Sequence, residues 1–398
     1  LEEEIVRLQI HTKAVHAGDR KKPAAHTPST TPIHTATSYF YDSMSKLDRI
    51  FGGDEAGFSY ARFDNPSAAA LEELCASLEN GAAALACASG MAALHTAILA
   101  ALTDRPKSIV AASALYGQTV TLLMNVLSPL GVEVRFADAC DPDAVRAAVA
   151  EARPGCVFVE SISNPLLRVA PLDTLAEIAR AAGAALVVDH TFATPLLERP
   201  LELGAQFSVH SLTKFLAGHG DVLGGVVVTD AAHAPVLRAL GRNLGPVLGP
   251  FECYLAMRGI KTFPLRMERQ CANACKAAQW LAQHPRVARV YYPGDPAHPD
   301  AGTVARLFPA GMSGAMVSFE IRDGGREEVF RFMDALKLIV RATSLGDVHS
   351  MMLYPVMSSH RDLSPKHRQR MGIGENLVRL SVGIEAAEDI LGDLEQAL

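Results

Sequence analysis

Ser211, Thr213 and Lys214 lie close together in the run Ser208-Val209-His210-Ser211-Leu212-Thr213-Lys214. A lysine amine condenses with an aldehyde to form an imine, and neighbouring hydroxyls suit an anionic group such as a phosphate. Gly218-His219-Gly220-Asp221 and Gly224-Gly225 follow and permit tight backbone turns. Taken alone, this segment fits a solvated loop lysine equally well. A second position of interest is Asp189, which closes the apolar run Ala185-Leu186-Val187-Val188. Burying a charge at a strand end is costly without a partner. A protonated ring nitrogen is one partner, and a helix N-cap role for the aspartate is the competing reading. Ala88-Ser89-Gly90-Met91 opens a further helix, whose N-terminus favours an anion. Tyr60 and Arg62, two apart in an extended segment, point the same way. They suit a phosphate clamp or an exposed loop pair.

The elements around these residues define how they meet. From Pro66 onward, apolar runs alternate with amphipathic stretches. Helices are expected over 66–79, from Ser89 to Leu102, and over 119–130, 142–152 and 172–182. Strands are expected over 108–112, 132–137, 156–160, 185–188, 207–209 and 222–228. Such alternation predicts a mostly parallel α/β sheet covered on both faces, with ligands beyond the carboxyl ends of its strands. The separation of Asp189 and Lys214 leaves room for one helix and one strand between them. A long helix from about Phe251 to Trp280 precedes alternating runs at 287–292 and 315–319, with helical patterns at 327–336 and 388–397. The expected organisation is an irregular N-terminal arm over 1–65, an α/β domain over 66–260 and a smaller α+β domain over 261–398.

Composition narrows the function classes. The chain has 398 residues, 49% hydrophobic and 20% charged, and a net charge of −6. Lysines and arginines are scattered, so nucleic acid is not an expected partner. The densest basic run, Arg361 to Arg370, reads as a solvated helical face. No stretch is apolar and long enough to span a bilayer, and the acidic start Leu-Glu-Glu-Glu is unlike a signal peptide. Seven cysteines without a Cys-x-x-Cys pair suit a reducing, cytoplasmic setting. Cys271 and Cys275, one helical turn apart, read as packed small residues rather than half a metal site, so no metal is expected.

In order and spacing, these segments resemble the Cys/Met-metabolism family of pyridoxal-phosphate (PLP) enzymes, from about His16 to Glu385. The run around Ser211, Thr213 and Lys214 with its trailing glycine pairs carries most of that resemblance. It implies a PLP-dependent transferase fold of type I: a mostly parallel large domain plus a smaller α+β C-terminal domain. It implies pyridoxal 5'-phosphate attached through Lys214, with Asp189 on the ring nitrogen. Ser211, Thr213 and the backbone of Gly90 and Met91 would hold the phosphate. Tyr60 and Arg62 would reach a neighbouring subunit's phosphate site, implying a dimer and, by family habit, a homotetramer with shared sites. Tyr116, in Leu115-Tyr116-Gly117, matches the tyrosine stacked on the ring. Acting as a general acid, it would need nearby positive charge to lower its pKa. Asn164 matches the partner of the ring hydroxyl, and Arg379 the arginine that grips the substrate carboxylate. Ser344 would line the same pocket.

Three positions depart from the family pattern. His190 stands where asparagine is common, and Gln118 where methionine γ-lyases carry cysteine. His349 stands where cystathionine-handling members often have glutamate. A histidine holds a distal ammonium poorly near neutral pH. The expected activity is therefore γ-elimination from methionine or a similar γ-substituted amino acid, giving 2-oxobutanoate, ammonia and a thiol. The alternative is γ-replacement, as in an O-acylhomoserine sulfhydrylase or a cystathionine γ-synthase. A cofactor-binding regulator is disfavoured by the complete reactive set. A nicotinamide dehydrogenase is disfavoured because Gly218-x-Gly220 lacks the dinucleotide spacing.

Overall fold

A computed structural model describes residues 7–18, 28–361, 368 and 371–398. The acidic start and most of the basic run 361–370 therefore lie outside the described residues.

Two sheets organise the chain. The first contains β1 (Ala83–Cys87), β2 (Ser108–Ala112), β3 (Glu133–Ala137), β4 (Cys156–Glu160), β5 (Ala185–Asp189), β6 (Phe207–Ser211) and β7 (Gly225–Thr229). Its order is β1-β7-β6-β5-β4-β2-β3. Pairings from β6 through to β3 are parallel, whereas β7 runs antiparallel to both β1 and β6. Strands β2, β4 and β7 are buried along their whole length, which explains their unbroken apolar sequences. Alternation along β7 separates two cores. Val227 packs with the helix Gly90–Leu102, whereas Val226 and Val228 pack with the helix Pro66–Glu79. Asn65 caps that last helix, its side chain accepting from the Ser67 and Ala68 amides, with Pro66 at the first helical position.

The second sheet contains β8 (Val287–Tyr291), β9 (Met316–Ile321), β10 (Val340–Arg341), β11 (Met351–Leu353) and β12 (Leu377–Ser381), in the order β10-β11-β12-β9-β8. The helices Phe263–Gln283, Arg326–Ala335 and Ala387–Ala397 pack with it around Phe319, Phe332, Leu377 and Leu394.

Three expected elements differ. The helix expected over 119–130 is α-helical only over Gly117–Thr121, then π-helical over Leu122–Leu127 and 3₁₀ over Ser128–Leu130. Pro129 offers no amide hydrogen and its ring crowds the preceding turn, so the helix widens before it closes. The single helix expected from Phe251 is two, Pro250–Ile260 and Phe263–Gln283, because Pro264 cannot extend the first one. The strand expected from 222 begins only at Gly225, since both backbone groups of Gly224 bind the Thr213 hydroxyl instead of a strand neighbour.

At Gly225 a Cβ would stand 2.3 Å from the Ser89 carbonyl oxygen and 2.8 Å from the Gly90 Cα. Gly225→Val is therefore expected to lower stability by about 1–3 kcal/mol through overpacking. Urea unfolding followed by circular dichroism checks this. An unchanged midpoint would contradict the packing described.

Candidate active site

The parallel strands of the first sheet all end on one side, and the loops beyond those ends converge. A cavity of about 450 Å³ opens there, lined by Gly90, Met91, Tyr116, Gln118, Asn164, Asp189, Ser211, Thr213, Lys214 and Arg379, among others. These ten residues of the sequence reading come together although they span most of the chain.

Each is held by local structure. Ser89 caps the helix Gly90–Leu102, its hydroxyl accepting from the Ala92 amide at 3.1 Å. A Cβ on Gly90 would sit 3.0 Å from that of Ser211, so glycine there lets the helix start approach the end of β6. Asp189 accepts from the Thr191 amide at 3.1 Å, and the Thr191 hydroxyl accepts from the Ser211 amide at 3.0 Å, tying β5 to β6. The Thr213 hydroxyl donates to the Gly224 carbonyl at 3.2 Å. The Lys214 loop is fastened from behind by Arg266, whose guanidinium donates to the carbonyls of Phe215, Leu216 and Gly259. Gly218 has φ +66°, and a side chain there would collide with Arg266.

The second sheet supplies the remaining groups. Arg379 on β12 is only 2% exposed. It donates to Asn164 Oδ1 at 2.7 Å and to the Ser344 carbonyl at 3.5 Å, and its Nε has no hydrogen-bond partner. The Ser344 hydroxyl accepts from Lys214 Nζ at 3.0 Å.

Electrostatics follow from burial. Burial, helped by the Arg379 charge, lowers the Lys214 pKa to about 8. Burial likewise brings Arg379 down to about 10, against the pull of Tyr116 and Glu160. Burial raises Asp189 against its Thr191 hydrogen bonds. The expectation for Tyr116 needs correcting. Its hydroxyl is raised, not lowered, because burial outweighs the opposing Arg379 charge and the Glu160 carboxyl adds to the rise.

Four residues singled out from sequence lie elsewhere. His349 is not among the cavity's lining; its ring, 64% exposed, pairs with Asp347 at 3.2 Å. Tyr60 and Arg62 sit in the arm, where the guanidinium stacks 5.4 Å from the Tyr60 ring and 4.8 Å from the Phe63 ring. Arg62 also donates to the Arg242 carbonyl. His190 turns away into a buried cluster, where its Nε2 meets the carbonyl oxygens of Thr194 and Glu198. Glu160, Phe192, Leu353, Ser358 and Ser359 line the cavity but were not singled out from sequence. Glu160 carried the same signal as Asp189, an acid closing the apolar run Cys156-Val157-Phe158-Val159.

The residues present suit PLP on three structural counts. The cavity has room for it. Gly90 leaves space at a helix N-terminus beside Ser211, as a phosphate needs. A lysine amine of lowered pKa shares the cavity with a buried carboxylate.

A mostly parallel sheet with a lysine and an aspartate converging beyond its strand ends defines a PLP-dependent enzyme of fold type I. The sequence profile described as "Cys/Met metabolism PLP-dependent enzyme" matches residues 11–398, and the chain belongs to that family. It is 41% identical over 390 residues to an L-methionine gamma-lyase of Pseudomonas putida, covering 97% of this chain and 96% of that one. It is 36% identical to an O-succinylhomoserine sulfhydrylase of Pseudomonas aeruginosa, covering 100% and 97%. Among solved structures, cystathionine gamma-lyase from Lactobacillus plantarum, complexed with L-serine, superposes with a TM-score of 0.90 at 33% identity, covering 98% of each chain. Among the described residues no helix is long and apolar enough to cross a membrane, and no cluster of three or more His, Cys, Asp or Glu could hold a metal.

Only neutral amine attacks an aldehyde, so the rate at which cofactor-free protein captures PLP should rise with pH through a midpoint near 8. An unperturbed lysine would titrate near about 10.4. Arg379→Leu removes a neighbouring positive charge and should move the midpoint upward. Stopped-flow absorbance measures both, and a midpoint above 10 in the unmodified chain would contradict the described burial.

Proposed function

We propose that this chain catalyses γ-elimination on methionine or a similar amino acid with an uncharged γ-substituent, releasing 2-oxobutanoate, ammonia and a thiol. The cavity's charge distribution carries this reading. Its charged lining groups among the described residues are Glu160, Asp189, Lys214 and Arg379. The remaining wall includes Leu223, Leu345, Leu353, Gln118, Thr343, Ser358 and Ser359. If Arg379 holds the α-carboxylate, Asp189 the ring nitrogen and Lys214 serves as the cofactor's lysine, no lining cation among the described residues is left for a second carboxylate. A thioether suits such a wall, and a side chain bearing its own carboxylate does not.

The proposed roles follow the geometry. Bound PLP supplies an electron-withdrawing ring that stabilises negative charge on the substrate carbon next to nitrogen. Ser211, Thr213 and the first turn at Gly90 and Met91 hold the phosphate, Asn164 meets the ring hydroxyl, and Asp189 keeps the ring nitrogen protonated. Arg379 grips the substrate carboxylate as a fork. Lys214, with a pKa near 8, takes a proton from Cα and handles the one at Cβ. Ser344 receives its hydrogen bond and keeps the amine aimed. Tyr116, held protonated by burial, donates to the leaving sulfur. Gln118, in the cavity wall, and His349, exposed outside it, tune substrate choice.

We further propose a cytoplasmic homotetramer built as a dimer of dimers. In it the arm over 1–65 carries Tyr60 and Arg62 to a neighbour's phosphate site, beside a cofactor domain over 66–260 and a second domain over 261–398. The exposed Phe40, Phe51 and Tyr60 of the arm support a partner there. γ-Replacement on an O-acylhomoserine is the second reading, favoured by the likeness to a sulfhydrylase.

A panel of methionine, homocysteine, cystathionine, O-acetylhomoserine and O-succinylhomoserine, read by 2-oxoacid release with and without added thiol, tests the assignment. Methionine should release 2-oxobutanoate, and substrates ending in a carboxylate should be poor. Tyr116→Phe should lower kcat by about 10²-fold. Thiol-dependent product with no 2-oxoacid release would transfer the assignment to γ-replacement.

A further inference from the structure

Among the described residues, Glu160 is the one charged group in the cavity lining to which the proposed roles give no work. It closes β4, and the register of β4 with β5 makes its direct neighbour Asp189. Two acids, Glu160 buried and Asp189 half-buried at the cavity wall, thus end adjacent strands in the same cavity. Both cannot stay ionised at low cost, since each negative charge opposes the other where water does not screen it.

The surroundings decide which one keeps its proton. The ionisable groups near Glu160 are Asp189 on β5, Arg379 on β12 and Tyr116 in the loop after β2. Asp189 has the Thr191 amide and, on the functional reading above, the ring nitrogen of the cofactor. Arg379 is the cation nearest to hand for Glu160, yet its hydrogen bonds go to Asn164 and Ser344. Burial and the Asp189 charge push the Glu160 pKa well up. Two backbone contacts reach its carboxyl and oppose that rise without cancelling it: Oε1 accepts from the Tyr116 amide at 2.6 Å, and the Asn164 amide also donates to it. Tyr116 is the N-cap of the helix Gly117–Thr121, whose second residue, Gln118, also lines the cavity.

We propose that Glu160 is a positioning residue: as an uncharged carboxylic acid it anchors the Tyr116 backbone, and with it the phenol ring, leaving Asp189 as the carboxylate of the cavity. The proposal deepens the functional reading and rests on it. A carbonyl-type oxygen at position 160 suffices for the anchor, whereas a negative charge there would compete with Asp189 for the ring nitrogen and raise the energy of any tyrosinate.

The test compares holoenzyme of Glu160→Gln and Glu160→Ala with the unmodified protein. Two readouts are used besides turnover: the affinity of the cofactor-free chain for PLP, and the pH midpoint of the visible cofactor band. Glu160→Gln keeps the acceptor and replaces a neutral group by a neutral one. It should leave the midpoint within a few tenths of a pH unit and the affinity within about twofold. Glu160→Ala removes the anchor and should weaken cofactor binding about tenfold, the weight of one buried hydrogen bond. Its thermal unfolding is recorded alongside. Should the alanine variant not fold, the glutamine variant still decides the charge state. A midpoint shift of about one unit in Glu160→Gln would show an ionised Glu160 and overturn the proposal. So would a folded Glu160→Ala that binds PLP as the unmodified chain does. If the unmodified chain forms no cofactor band at all, the functional reading falls and takes this proposal with it. That outcome is distinct from a normal band unaffected by the variants.

Discussion

Arg379 sits on the second sheet, almost without solvent contact, and gives its shortest hydrogen bond to Asn164 at the edge of the first. Stripping water from a guanidinium costs several kcal/mol, roughly, before any partner is counted. The cost is tolerable only where acceptors are fixed in advance, and Asn164 and the Ser344 carbonyl are fixed by two different sheets. The cavity between the sheets is therefore also an electrostatic compartment. The Arg379 charge adds to burial in lowering the Lys214 pKa and pulls on Tyr116. Removing it would disturb proton affinities across the whole site, not one contact.

The geometry of the parallel sheet does much of the remaining assembly. Strands β4, β5 and β6 run side by side in one direction, so their last residues, Glu160, Asp189 and Ser211, arrive at one rim. No loop has to be long to bring them together. The polar groups at that rim are tied by short local bonds, Thr191 to Ser211 and Thr213 to Gly224, so a ligand would meet a surface already ordered.

Much of this was readable from the sequence, for identifiable reasons. Strands buried on both faces read as apolar runs, so Ser108–Ala112 and Cys156–Glu160 are found where expected. Capping chemistry located the helix at Pro66. The failures have physical causes as well. Proline at 129 and 264 altered helices whose hydrophobic pattern ran straight through them. Strand β12, which carries Arg379, and the short β10 and β11 gave too little periodicity to stand out, so the second sheet was seen only in part. Within the site, Asp189 stands out as an acid closing an apolar run, and the family resemblance adds its expected role. Glu160 obeys the same rule, a charge ending a buried strand, and was passed over. His349 is expected near the pocket by sequence position, but its ring pairs with the buried Asp347 and stays largely exposed. The Tyr116 hydroxyl was misjudged because burial, which a linear sequence displays poorly, outweighs the one nearby cation.

Arg266 has a wider significance. It lies on the helix Phe263–Gln283, which packs against β8 and β9 of the second sheet, yet its guanidinium is bolted to the carbonyls just past Lys214. Ser344, from the same half of the chain, touches the lysine amine from the other side. The tip and the root of Lys214 are thus both held by residues from the second half of the chain. On the proposed roles, the grip on a substrate's carboxylate and the aim of the amine are therefore set by one stretch of sequence, while the acids facing them come from the other.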